Sequence, residues 1–202
     1  MQFFRKGLIG AVALMLAAGV AHAQDKKPEY IGADQCKVCH DKKPEGAQFT
    51  AWKAEKHSKA FENLKSEAAL KVAQERGMTK PPHEAPECLK CHVTAYDFQA
   101  MAAPAKIKPE MGVQCETCHG PGEFHVAEGK DVMFKKKTSE EVDWMANLLK
   151  VEESLCLQCH NEESPTWDPE KYTKEDGSKA GFDYEQAVKI IEHPNPMKAK
   201  QE

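Results

Sequence analysis

Little in this sequence could build a conventional apolar core. Aromatic residues make up 7% of its 202 positions and apolar residues 41%. No convincing alternation of apolar and polar residues marks a strand, which leaves helices and loops. Only one long apolar run is present, Gly7 to Val20, and it is too short for a comfortable membrane span. No second run follows it, so no transmembrane anchor is expected. An excess of basic charge is also missing: the formal net charge is −4. A nucleic-acid binder would lean basic. The short basic spots at Lys42-Lys43 and Lys135-Lys136-Lys137 read as solvated faces. No obvious constellation of acid, base and anion-binding residues supports an enzyme. Finally, no cysteine is left without a partner in the sequence pattern.

The start of the chain reads as an export signal. Arg5 and Lys6 precede the apolar run, and Ala21-His22-Ala23 forms a small-residue cleavage site. Residues 1–23 are therefore assigned as a signal peptide and residues 24–202 as one domain, beginning at Gln24. No cysteine follows the cleavage site, which argues against a lipoprotein. Removing Arg5 and Lys6 takes the formal charge from −4 to −6.

The eight cysteines form four C-x-x-C pairs: Cys36/Cys39, Cys88/Cys91, Cys115/Cys118 and Cys156/Cys159. Each pair is followed at once by a histidine: His40, His92, His119 and His160. Disulfides or zinc could use paired cysteines, but neither explains the histidines. With nine histidines in 202 residues, four such coincidences have odds of about 4 × 10⁻⁶. C-x-x-C-H is the attachment signature of c-type haem. Two thiols add across the two vinyl groups on one porphyrin edge, and the next residue turns its imidazole to the iron as proximal ligand. The expected cofactor is four covalently bound haem c groups. Export agrees, because this haem is attached outside the cytoplasm.

The second axial position of each iron decides what it can do. A second strong ligand restricts it to electron transfer, whereas an open position binds small molecules. Outside the signal segment four histidines stand beyond the motifs: His57, His83, His125 and His193. Four haems and four spare histidines match one to one, and all four are candidate distal ligands. His57 falls on the apolar side of a helix expected over Phe49 to Leu64. His193 ends a helix that Asp183 and Gln186 cap, directly before Pro194. His83 sits in a proline-rich loop. His125 stands six residues after His119, past Gly120-Pro121-Gly122. Six residues reach about 20 Å only when fully stretched, so reaching a neighbouring haem is easier than rounding its own. The methionines, Met78, Met101, Met111, Met133, Met145 and Met197, read as gap-fillers rather than ligands.

Further helices are expected over Glu67 to Arg76, capped by Ser66 and ended by Gly77, and after the Thr138-x-x-Glu141 capping box. Ala100 to Met111 reads as an irregular connection and Asn195 to Glu202 as a disordered tail. The fold class is mainly α, with short helices and loops wrapped around four stacked c-type haems.

Several stretches carry a resemblance. They are CKVCH with AWKAEKHSKAFENLK, then CLKCH, then GVQCETCHGPGEFH, then CLQCHNEESP, and the closing KYTKEDGSKAGFDYEQAVKIIEH. In order and context these resemble the tetrahaem cytochrome c-554 family of ammonia-oxidising bacteria. The resemblance implies a helical fold around stacked haem pairs and a periplasmic carrier that takes electrons from an oxidoreductase and hands them on. It implies that His125 serves the first haem, His193 the third and His57 the fourth. It also implies a five-coordinate second haem, at Cys88, Cys91 and His92. This sequence departs there, because His83 precedes the second motif and has no recognised counterpart, and the loop after the fourth motif is shorter. His83 is taken as the ligand that closes the second iron.

The leading functional expectation is a periplasmic tetrahaem c-type cytochrome passing electrons between redox proteins in a respiratory chain, not an enzyme. An extracellular location is compatible with the same signal. Low potentials are expected from bis-histidine ligation. Two other classes stay open: a haem enzyme or gas-binding protein acting on nitric oxide or nitrite at an open second haem, and a subunit of a haem filament or larger redox complex. Oligomeric state is left open.

Overall fold

The computed structural model describes residues 26–145 and 148–196. The expected signal peptide, its cleavage site, Gln24, Met197 and the end of the tail lie outside them. The described chain is mainly helical. Its helices are α1 (Ala33–His40), α2 (Gln48–Ala54), α3 (Ala60–Asn63), α4 (Glu67–Glu75), α5 (Pro86–His92), α6 (Cys115–His119), α7 (Glu123–Met133), α8 (Glu153–Cys156) and α9 (Tyr184–Ile191). Short 3-10 turns cover His57–Lys59, Pro82–Glu84 and Pro109–Met111, among others. One hairpin of two short strands, β1 (Tyr172–Thr173) and β2 (Lys179–Ala180), lies in the polar loop before α9, with Tyr172 opposite Ala180. The sequence carries no alternating run there because each strand is only two residues long.

Two expected caps are present. Ser66 accepts from the Ala69 amide at 3.2 Å, and Asp183 accepts from the Gln186 amide at 2.9 Å. Both satisfy a first-turn N–H that the helix itself leaves unpaired. Two other expectations are corrected. The helix expected over Phe49 to Leu64 is broken into α2, the His57–Lys59 turn and α3. The Ser58 hydroxyl bonds to the Lys53 and Glu55 carbonyls, and the His57 carbonyl accepts from the Val113 amide at 2.9 Å. Those bonds compete with the i to i+4 ladder. The capping box at Thr138 forms, with the Thr138 amide 2.7 Å from Glu141, but turns follow it instead of a helix over the described residues. Conversely, α7 carries His125, which the sequence placed after a turn and on no helix.

Buried apolar residues are few and small: Ala33, Phe49, Ala60, Leu64, Ala73, Ala85, Val93, Ile107 and Val142. Polar side chains do much of the joining. Thr94, fully buried just after the second motif, accepts from the Gln114 amide at 2.6 Å, lies 2.9 Å from the Thr117 hydroxyl, and donates to the Gly112 carbonyl at 3.2 Å. It thereby ties the second motif to the third. Residues 26–34 form a strap along the third motif, held by Lys26–Glu123 at 2.5 Å, Lys106–Glu29 at 2.9 Å and Lys108–Asp34 at 2.6 Å.

Candidate metal centres

All four C-x-x-C-H motifs sit on a short helix or the turn that continues one. α1, α5 and α6 end at His40, His92 and His119, and α8 ends at Cys156, from which the amides of Cys159 and His160 both return to the Cys156 carbonyl. One helical turn brings the two thiols to one side and projects the histidine beyond them.

The spare histidines stand against particular motif histidines. The rings of His40 and His125 are 6.0 Å apart between centroids, those of His119 and His193 5.9 Å, and those of His57 and His160 6.1 Å. None of these pairs is local in sequence. Two imidazoles on opposite sides of one metal atom, each bonded at about 2 Å, put their centroids about 6 Å apart. The spacing therefore fits one atom between each pair.

The outer ring nitrogens are held as a metal ligand requires. His125 Nδ1 donates to the Trp144 carbonyl at 3.0 Å, and His92 Nδ1 donates to the Ala60 carbonyl at 2.7 Å. His40 Nδ1 lies 3.2 Å from Gln48 Oε1, whose amide nitrogen is turned to the Pro194 carbonyl at 2.9 Å. A proton fixed on Nδ1 leaves Nε2 with its lone pair for a metal. Burial acts in the same direction. It lowers the pKa of His57, His125, His160 and His193. His119 is pushed down to about 4 by burial first, then by His193, His125 and His40. Neutral imidazole is the ligating form.

The thiols also cluster. Cys36 of the first motif meets Cys115 of the third in a hydrogen bond that lowers the Cys115 pKa and raises that of Cys36, and Cys91 of the second meets Cys159 of the fourth likewise. Cys118 is raised to about 11 by burial and by Cys156 of the fourth motif. None of the eight cysteines is joined to another in a disulfide. Among the described residues no three of His, Cys, Asp or Glu converge on a point that could hold one ion. Zinc needs four converging donors. Paired imidazoles with a thiol pair beside each are the donor set of c-type haem.

His92 and His83 are arranged differently. No ring contact joins His92 to another histidine among the described residues, so His83 is not stacked opposite it. His83 Nε2 lies 3.7 Å from Glu84 Oε1, and its Nδ1 is buried with no hydrogen-bond partner. This orphaned buried nitrogen lies beside the second motif, since the Pro82–Glu84 turn packs on α5.

Several supporting residues carried no readable signal. Gln48 and Trp144 are distant in sequence from the rings they hold, and Thr94 looks like any residue after a motif. Gly112 is needed at φ 66° and ψ −136°, because a Cβ there would lie 2.6 Å from the His57 carbonyl oxygen.

Comparison with known proteins finds related cytochromes. Residues 35–120 match the family model described as cytochrome c554 and c-prime. The chain is 29% identical over 199 residues to cytochrome c-554 of Nitrosomonas europaea, spanning 92% of this chain and 82% of that protein. A solved structure, the reduced state of cytochrome c554 from Nitrosomonas europaea, aligns with a TM-score of 0.49 and 24% identity over 82% of this chain and 79% of that one. The motifs and the two sequence matches define a c-type cytochrome, an electron-transfer protein with covalently bound haem c. Within that class the chain is similar to cytochrome c554, whose family model matches residues 35–120.

Proposed function

We propose that residues 24–202 form one tetrahaem domain, exported to the periplasm behind the 1–23 signal peptide, that carries electrons between redox proteins of a respiratory chain and is not an enzyme. The observation that carries this is the trio of histidine pairs at 5.9–6.1 Å. Bound haem c supplies a one-electron iron couple. Cys36, Cys39 and His40 would hold the first group with His125. Cys115, Cys118 and His119 would hold the third with His193, and Cys156, Cys159 and His160 the fourth with His57. Cys88, Cys91 and His92 would hold the second, with His83 as the candidate distal ligand.

What the chain contributes is position and exclusion. Two imidazoles at an iron leave no place for a substrate, which favours transfer over catalysis. The thiol hydrogen bonds Cys36–Cys115 and Cys91–Cys159 set the first motif beside the third and the second beside the fourth. Thr94 and Thr117 lock the second motif to the third, which joins the two couples in one body.

A second reading attaches only to the second motif. His92 lacks a stacked partner, so a small molecule such as nitric oxide could take its open side. One set of measurements tests both. The exported protein is assayed for haem by the pyridine haemochrome method and for spin state by electron paramagnetic resonance. Four haems and four low-spin irons are expected, one becoming high-spin in His83→Ala. A wild type already holding a high-spin iron that binds nitric oxide favours the second reading, and fewer than four haems overturns the tetrahaem domain.

A further inference from the structure

Glu116 lies between the two cysteines of the third motif and is 2% exposed. A buried carboxylate is tolerated when hydrogen bonds replace its water. Here backbone amides do so. Ile31 donates at 2.9 and 3.1 Å, Gly32 at 2.7 Å and Gly122 at 2.8 Å. These donors come from two separate segments, the strap entering α1 and the turn entering α7. Glu116 thus fixes the start of the helix that carries Cys36 and His40 and the start of the helix that carries His125.

Its donors are neutral. The lysines that hold the neighbouring strap, Lys26, Lys106 and Lys108, pair with Glu123, Glu29 and Asp34 instead. Both carboxylate oxygens thus accept amide hydrogen bonds in a dry place, where the first and third motifs meet through Cys36 and Cys115. Glu116 stands between Cys115 and Cys118 and is bonded to the Gly32 amide that precedes α1, so it faces the attachment points of both sites. A negative charge there resists an added electron on the groups those cysteines would anchor. Net charge near a haem is one of the levers that set its potential.

We infer that Glu116 is a positioning residue that both clamps the first and third sites together and holds their reduction potentials down relative to the second and fourth. This rests on haem c occupying those sites. Reduction adds one electron from the redox partner to an iron, so the field of a nearby carboxylate enters the potential directly.

The test is a spectroelectrochemical titration of the haem-loaded protein and of Glu116→Gln, Glu116→Ser and Glu116→Asp, each with its haem content and low-spin count measured. Two of the four midpoint potentials should move upward in Glu116→Gln and Glu116→Ser while the other two stay, and all four should stay in Glu116→Asp. Unmoved potentials in fully loaded Glu116→Gln, or the same shift in all four, overturn the inference alone. So does an equal shift in Glu116→Asp, which would make geometry the cause. If neither neutral variant loads haem while Glu116→Asp does, Glu116 is only a clamp and the electrostatic claim falls. A wild type lacking haem at the first and third motifs removes the underlying reading together with the inference.

Discussion

Replacing Gly112 by alanine tests how the His57 turn is held. The added Cβ would lie 2.6 Å from the His57 carbonyl oxygen, 3.0 Å from the Ala60 nitrogen and 3.2 Å from the Ser58 carbonyl carbon. All three are backbone atoms, so no side chain can swing aside. The backbone at φ 66° and ψ −136° is itself unfavourable for any residue with a Cβ, at about 1–3 kcal/mol. Moving the turn away also weakens the Val113 to His57 hydrogen bond, about 0.5–1.5 kcal/mol. Together these predict a loss of about 1.5–4.5 kcal/mol, about tenfold or more in the folding equilibrium. Gly77 is the control. It has φ 65° with nothing within 4 Å of its Cβ position, so Gly77→Ala carries only the backbone cost, about 1–2 kcal/mol. Guanidinium unfolding of both holoproteins, followed by tryptophan fluorescence, gives the difference. Electron paramagnetic resonance should also show a changed low-spin signal in Gly112→Ala alone, because His57 moves relative to His160. If Gly112→Ala is as stable as Gly77→Ala and its spectrum is unchanged, the argument for a pinned His57 turn is wrong.

His125→Ala should keep its full haem content, since the thioethers are intact, while one low-spin iron becomes high-spin in the paramagnetic resonance spectrum. Thr94→Val should cost about 1–3 kcal/mol in denaturant unfolding, because the buried Gln114 amide loses its acceptor, and Thr94→Ser should recover most of it. The strap should loosen in acid. Lys26 and the Glu29 amide hold Glu123 below the ordinary carboxylate value of 4.5. Because the folded value is the lower one, this contribution is complete above pH 4.5 and is lost as pH falls through the depressed value. Exchange at the Glu29 amide, corrected for intrinsic rate, should therefore rise below that pH, and Glu123→Gln should remove the dependence.

What the sequence made legible was local. The motifs, the Ser66 and Asp183 caps and the helices they start depend on neighbours a few residues away. The rest was decided by distant partners. His57 sits on a turn rather than a continuous helix because Val113 takes its carbonyl. Residues after Thr138 show apolar spacing, yet the Trp144 carbonyl serves His125 and the Leu149 amide serves the His119 carbonyl at 2.8 Å. A segment whose polar groups are committed elsewhere does not stay helical. Nor does spacing pair His40 with His125 across 85 residues, and only the family resemblance implied such partners. Glu116 was in plain view inside a motif, but its donors at residues 31, 32 and 122 exist only in the folded chain.

The thin protein interior bears on how the molecule is made. Among the described residues four of the nine buried apolar ones are alanines, too little oily surface to drive collapse unaided. A newly made polypeptide would stay open and accessible to the ligation machinery until its pigments are in place. Any copy missing one would remain prey to proteases, so the cell would accumulate finished molecules and clear the incomplete ones.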